Sequence, residues 1–434
     1  MAHVRRGQRL HIGLFGRRNV GKSSLLNAIT RQQASIVSEI SGTTTDPVEK
    51  PMELQPLGPV LFIDTAGVDD EGALGELRIA RTSQVLDRAD LGVIICDRPR
   101  WGAFEQGLLD ELTRRGAPVV AVFSKADLVA PDETEIARLE GLGLAVARTT
   151  AASAGRDALG LSDGVAELRR ALLERAPEEW LSRPSLLADL VRPGGLVVLV
   201  VPVDAGAPVG RLILPQQQAI RELLDACAGC LVVKEHELAG ALARLKEPPD
   251  LVVTDSQAFL KVASDTPSAV PLTSFSILFA RRLGDLAEFA RGAAAIAALR
   301  PGDRVLMAEA CGHHPGGEDI GRVKLPRWLG QAAGGTLEFD HVQGHDFPRD
   351  LRPWRLVVHC GACLWNRREV LSRLMHCRDA GVPVTNYGLA IAACLGVIER
   401  ALGPFPAALE AYRDARPPSQ PSPAGRGGKG AAAT

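Results

Sequence analysis

Apolar positions along the chain fall into two alternating patterns. Short runs with almost no polar interruption, over residues 10–15, 61–63, 119–123, 195–204, 231–234, 250–254, 304–310 and 355–359, predict strands buried on both faces. Between them stand stretches with helical spacing: Leu25, Leu26 and Ile29, then residues 164–175, then Ile220, Leu223 and Leu224 within 215–226, then 288–299. Such alternation predicts parallel sheets covered by helices, hence an α/β protein. Pro177 and Pro184 mark a linker, and Pro301-Gly302-Asp303 a turn. The pattern divides the chain into 1–176, 185–283 and 284–412. Residues 413–434, rich in Pro, Gly and Ala, are expected to be a disordered tail. The fold class expected is therefore an N-terminal α/β domain followed by two smaller α/β domains with mainly parallel sheets.

The first strand runs into Gly16-Arg17-Arg18-Asn19-Val20-Gly21-Lys22-Ser23, a G-x-x-x-x-G-K-S phosphate loop followed by Ser24 and a helix. Its glycines turn successive amides toward phosphate. Lys22 would reach the β- and γ-phosphates, Ser23 would bind Mg²⁺, and the helix adds its positive end. Three features follow in the order a GTPase needs. Ser41-Gly42-Thr43-Thr44 offers Thr44 to the Mg²⁺ shell. Asp64-Thr65-Ala66-Gly67 ends a strand, with Asp64 holding Mg²⁺ through water and the Gly67 amide sensing the γ-phosphate. Ser124-Lys125-Ala126-Asp127 closes another strand, with Asp127 accepting from guanine N1 and N2. In the last motif Ser124 stands where N-K-x-D has asparagine, at the cost of one hydrogen bond. The turn facing the base is either Thr150-Ala151 or Ser153-Ala154. No glutamine follows Gly67, so slow intrinsic hydrolysis is expected.

Composition narrows the classes. The chain has 434 residues and a net charge of −1, which gives no overall basic surface for nucleic acid or an anionic membrane. No apolar run approaches the roughly 20 residues of a membrane helix, and no apolar segment follows Met1 to Arg6, so neither a span nor a secretory leader is expected. Eight cysteines in a chain this long argue for a reduced, cytoplasmic setting with thiols that serve metals. The middle domain offers strand ends such as Asp204, Asp255 and Ser256 but no catalytic constellation. It reads as a dimerisation module.

The remaining chemistry is late. Cys311-Gly312-His313 follows one predicted strand, and His359-Cys360-Gly361-Ala362-Cys363 ends another. Sites of open α/β sheets lie at the carboxyl ends of strands, so the two segments can converge. By spacing alone the set suits a 4Fe-4S cluster on Cys311, Cys360 and Cys363, or a zinc ion completed by His313 or His359. For a cluster, the fourth iron would be left to His313, His359, Glu318, Asp319 or solvent.

Together these motifs carry a resemblance. The spacing of the first domain resembles the era-like GTPases, and Asn19 with Gly42-Thr43-Thr44 resembles the subset activated by K⁺ bound at the asparagine. Over residues 9–412 the chain resembles the maturation GTPases of the iron–iron hydrogenase H-cluster, the HydF-type proteins. The resemblance rests on the phosphate loop, Thr254-Asp255-Ser256-Gln257-Ala258, Leu272-Thr273-Ser274-Phe275-Ser276, Glu318-Asp319-Ile320-Gly321-Arg322 and the cysteine segments. It implies a 4Fe-4S cluster on Cys311, Cys360 and Cys363 with an exchangeable non-cysteine fourth ligand, for which His313, Glu318, Asp319 and His359 are placed. It further implies a homodimeric GTPase scaffold using GTP, Mg²⁺ and K⁺. Such a scaffold receives a di-iron precursor made with two radical SAM maturases and delivers it to the apo-hydrogenase. The rival expectation is an era-like GTPase of RNA modification or ribosome assembly with a structural metal site, which the near-neutral charge disfavours.

Overall fold

The computed structural model of the chain describes residues 6–31, 47–55, 57–65, 73–150, 163–181, 184–202, 212–310 and 319–417. It divides into two compact units, Met1–Pro184 with Leu364–Ser372, and Ser185–Cys363 with Arg373–Thr434.

The first unit holds a six-stranded sheet of order β2-β3-β1-β4-β5-β6. Its strands are β1 Leu10–Gly16, β2 Val48–Leu54, β3 Gly58–Asp64, β4 Leu91–Cys96, β5 Val119–Phe123 and β6 Ala145–Arg148. The uninterrupted apolar runs have a direct cause. Leu14, Phe62 and Val93 pack on one face of the sheet while Phe15, Ile63 and Ile94 pack on the other. Every residue of β1 is buried as a result. The one antiparallel strand is β2, which carries Glu49, Lys50, Pro51 and Glu53 and lies at the edge, where a proline costs no ladder bond. The first unit also takes in Leu364–Ser372: the Asn366 side-chain amide donates to the Arg88 carbonyl at 2.8 Å and to Asp90 at 3.0 Å.

The second unit holds two four-stranded parallel sheets. The first comprises β7 Leu196–Val200, β8 Gly229–Val233, β9 Leu251–Thr254 and β10 Leu272–Ser274. The second comprises β11 Arg304–Glu309, β12 Glu338–Gln343, β13 Leu356–His359 and β14 Val384–Asn386. Their orders are β10-β9-β7-β8 and β12-β11-β13-β14. Each sheet thus places its second strand on one side of its first and its third strand on the other. That arrangement opens a crevice at the carboxyl ends of the first and third strands, the switch point where open α/β sheets take ligands. In the last sheet the crevice lies between β11 and β13, which pair in register from Val305↔Leu356 to Ala308↔His359.

Candidate functional site

The phosphate loop leaves β1 at the switch point of the first sheet, between β3 and β4. Gly16 has φ +153°, and a Cβ there would lie 2.6 Å from the Ile95 carbonyl oxygen, so no other residue fits. Asn19 and Gly21 also take positive φ, 60° and 99°. The loop curls round Lys22, whose ammonium donates to the Gly16 carbonyl at 2.8 Å and the Arg17 carbonyl at 2.7 Å. Behind it the Ser23 hydroxyl donates to Asp64 Oδ2 at 2.6 Å. The second oxygen, Asp64 Oδ1, is buried without a hydrogen-bond partner among the described residues. Burial raises the Asp64 carboxyl above its ordinary value, against the opposing pull of Ser23, Lys22 and Lys50. An unpartnered buried carboxylate oxygen is costly. A hydrated Mg²⁺ beside the Ser23 hydroxyl would remove that cost, so this donor set fits the ion.

At the end of β5 the Ser124 hydroxyl, itself buried, donates to the Val20 carbonyl at 2.6 Å. The serine therefore ties the base-side strand to the phosphate loop, a function its identity alone did not disclose. Lys125, at φ 53°, donates to the Asn19 carbonyl at 2.9 Å and pairs with Asp97 at 2.9 Å. Asp127 is exposed, and its carboxylate makes no hydrogen bond among the described residues. It stands available to a base. Ser24 and Val20 complete the expected set at the start of the helix Lys22–Arg31, Val20 being buried. Thr44, Gly67, Ala151 and Ser153-Ala154 lie outside the described residues.

The last sheet positions the cysteines. Cys360 follows His359 at the end of β13, and its amide donates to the Ala308 carbonyl of β11 at 2.9 Å. Its Sγ accepts from two main-chain amides, Ala310 at 3.0 Å and Ala362 at 3.4 Å, the latter brought round by a left-handed φ of 49° at Ala362. Amide donors stabilise a thiolate, the form that ligates metal. Ala310 immediately precedes Cys311, so the end of β11 and the C-x-x-C turn are joined at one sulfur. Cys311, His313 and Glu318 lie outside the described residues, and among the described residues no group of three ligating side chains gathers.

His359 has a different part. Its Nδ1 lies 2.9 Å from the Cys360 carbonyl and its Nε2 3.3 Å from the Arg373 guanidinium. Arg373 can only donate, so Nε2 accepts and the Nδ1 proton goes to the carbonyl. Burial, and then Arg373, push the imidazole down to about 3. The ring is a neutral brace under the cysteine turn with both nitrogens engaged. Burial pushes three other thiols up, Cys96 to about 11 and Cys377 and Cys394 to about 12, so without a metal they stay protonated.

Beside β11 lies a polar group that pattern reading did not find. Glu309, buried at the end of that strand, accepts from the Gln343 amide at 3.0 Å and the Tyr387 hydroxyl at 3.3 Å. A Cβ on Gly321 would lie 2.3 Å from the Tyr387 hydroxyl and 2.6 Å from Glu309 Oε1, so the glycine of Glu318-Asp319-Ile320-Gly321-Arg322 is required by that pair. The glycine was the visible signal.

Comparison with known proteins finds three successive family models. The family model described as 50S ribosome-binding GTPase matches residues 11–125. Two further models, the Hydrogen maturase F dimerization domain and the Hydrogen maturase F tetramerization domain, match residues 186–284 and 287–404. Fold and site thus define a protein of the P-loop GTPase class extended by two parallel α/β domains. The chain belongs to the hydrogen maturase F family, whose two domain models follow one another from 186 to 404. Among curated relatives, a tRNA modification GTPase MnmE from Synechococcus sp. is 38% identical over 143 residues, 31% of this chain and 31% of its own. A GTPase Der from Wolinella succinogenes is 31% identical over 196 residues, 42% of this chain and 41% of its own. The chain spans about a third to two fifths of the length of these relatives. Of solved structures, the G domain of the T. maritima FeoB iron transporter aligns with a TM-score of 0.29 at 24% identity, covering 39% of this chain and 99% of that one.

Proposed function

We propose that this protein is a GTPase scaffold that holds a 4Fe-4S cluster on Cys311, Cys360 and Cys363, accepts the di-iron precursor of the iron–iron hydrogenase active site, and delivers it to the apo-hydrogenase. The observation that carries the reading is the Cys360 sulfur, held by two amides at the switch point between β11 and β13, in a chain of the hydrogen maturase F family. The donor set fits an iron–sulfur cluster: a thiolate at a strand end, amide donors around it, and a second cysteine one turn on. Such a cluster supplies an iron with an exchangeable ligand, the attachment point for the cargo. With both His359 nitrogens engaged, His313, Glu318 and Asp319 are the side chains left to serve as that ligand.

In the first unit, Lys22 would bind the β- and γ-phosphates, and Ser23 with Asp64 and Thr44 would hold Mg²⁺. Gly67 would report the γ-phosphate, and Asp127 would select guanine. Asn19 would place K⁺ where other GTPases use an arginine. GTP turnover then gates encounters with the two radical SAM maturases and the apo-hydrogenase. The proposed active form is a homo-oligomer built through the dimerisation and tetramerisation domains. The match to tRNA modification GTPases is confined to part of each chain and gives RNA no special claim.

Anaerobic reconstitution with iron and sulfide followed by EPR tests the assignment. A 4Fe-4S signal that disappears in Cys311→Ala, Cys360→Ala or Cys363→Ala is the expected result; a colourless zinc protein refutes it. Turnover compared in K⁺ and Na⁺, with Asn19→Ala beside the unaltered chain, decides the potassium role, which an unchanged stimulation would remove.

A further inference from the structure

Two motifs of the middle domain, Thr254-Asp255-Ser256-Gln257 and Leu272-Thr273-Ser274-Phe275-Ser276, take no part in the sites above. They close β9 and β10, and four of their polar side chains are buried, Thr254, Thr273 and Ser274 fully and Ser256 nearly so, while Asp255, Gln257 and Ser276 are half-buried. Most have internal duties. Ser256 donates to Ser274 Oγ at 3.1 Å, and Ser274 caps the helix Phe275–Leu283 by accepting from the Ile277 amide at 3.3 Å. Ser276 is arranged otherwise. Asn386, which ends β14 and pairs in register with His359, donates to the Ser276 carbonyl at 2.9 Å and to its hydroxyl oxygen at 3.3 Å. The hydroxyl oxygen is thus an acceptor, and its own proton has no acceptor among the described residues.

The cysteine turn lies beside that hydroxyl. Gly361 stands between Cys360 and Ala362, and a Cβ on it would lie 3.8 Å from Ser276 Oγ. On another side the hydroxyl is closed off by Gly388, where a Cβ would come within 2.8 Å of the same oxygen. The serine therefore looks onto the bare backbone of the C-x-x-C turn, locked by an asparagine one residue in register from Cys360.

We propose that Ser276, a residue of the middle domain, is a second-sphere hydrogen-bond donor to the sulfur of the cluster held by Cys360 and Cys363. The middle domain is then a structural part of the cluster site, beyond any role in subunit contact. The proposal rests on the cluster reading above. A hydrogen bond to cluster sulfur favours the reduced, more negative state and raises the reduction potential. Its removal lowers the potential without removing iron.

The test uses the full chain, reconstituted anaerobically and titrated electrochemically with EPR detection. The variants are Ser276→Ala, Ser276→Gly and Ser276→Thr, with Ser256→Ala as the control whose hydroxyl donates elsewhere in the same layer. The expected result is equal iron content and circular dichroism throughout. The potential should be more negative in Ser276→Ala and Ser276→Gly, restored in Ser276→Thr, and unmoved in Ser256→Ala. A fully loaded chain whose potential is the same without the hydroxyl overturns the proposal and leaves the cluster reading standing. So does an equal shift in Ser256→Ala, which would assign the effect to packing. Variants that lose the fold rather than the potential would make Ser276 a packing residue, which also overturns its role as donor. An unaltered chain that binds no iron refutes the cluster reading, and the donor role falls with it.

Discussion

At the scale of single residues, geometry changes what several identities mean. Ser124 departs from the guanine motif, yet its hydroxyl, 2.6 Å from the Val20 carbonyl, keeps the base-side strand tied to the phosphate loop. What serine lacks is reach toward the base. Ser124→Asn is expected to tighten guanine nucleotide binding by about 1 kcal/mol, one net hydrogen bond, or roughly fivefold in Kd by calorimetry. An unchanged Kd would mean that the base is held without this position. His359 shows the opposite lesson. A histidine beside a C-x-x-C suggests a ligand, but Arg373 and the Cys360 carbonyl occupy its two nitrogens. The motif was legible in the sequence; the partner of each ring nitrogen was not, because Arg373 comes from the following helix.

At the scale of elements, the buried parallel strands were the most legible feature. A strand covered on both faces is mostly apolar: β5 and β7 are so throughout, and β1, β11 and β13 are so but for His11, Arg304, Glu309 and His359. The half-exposed strands gave no such signal: β2 and β12 carry charged and polar residues and are recognised only by their pairing with β3 and β11. Close approach of elements is also hidden. A Cβ on Gly292, in the helix Leu286–Ala294, would lie 1.8 Å from the Val384 carbonyl oxygen of β14. Gly292→Ala should therefore destabilise the second unit by about 1–3 kcal/mol, since the helix must move off the sheet. Gly240→Ala is the counterpart. It lies exposed in the helix Leu238–Leu242 with nothing within 4 Å of the added methyl. That change should stabilise by about 0.5–1 kcal/mol through helix propensity. Urea unfolding of both variants measures the contrast, and equal midpoints would contradict it.

At the scale of the whole molecule, phosphate loop and cysteine pair belong to different units. Lys22→Ala is accordingly expected to abolish GTP hydrolysis while leaving iron content and the cluster EPR signal unchanged. Loss of the signal in that variant would show that nucleotide and metal are held by one cooperative structure. Across all three sheets the candidate chemistry sits at a switch point, or at the strand ends beside it. The sequence by itself determined the reactive groups: the phosphate loop, the aspartates, and the cysteines at strand ends. Those depend on local backbone geometry and on short spacings, which the chain spells out. The tertiary structure decided their surroundings. Glu309 with Gln343 and Tyr387, His359 with Arg373, and Ser276 with Asn386 and Gly361 are far apart or unremarkable in the chain. Only strand order and register bring the members of each group together, and neither is written in the periodicity of any single segment.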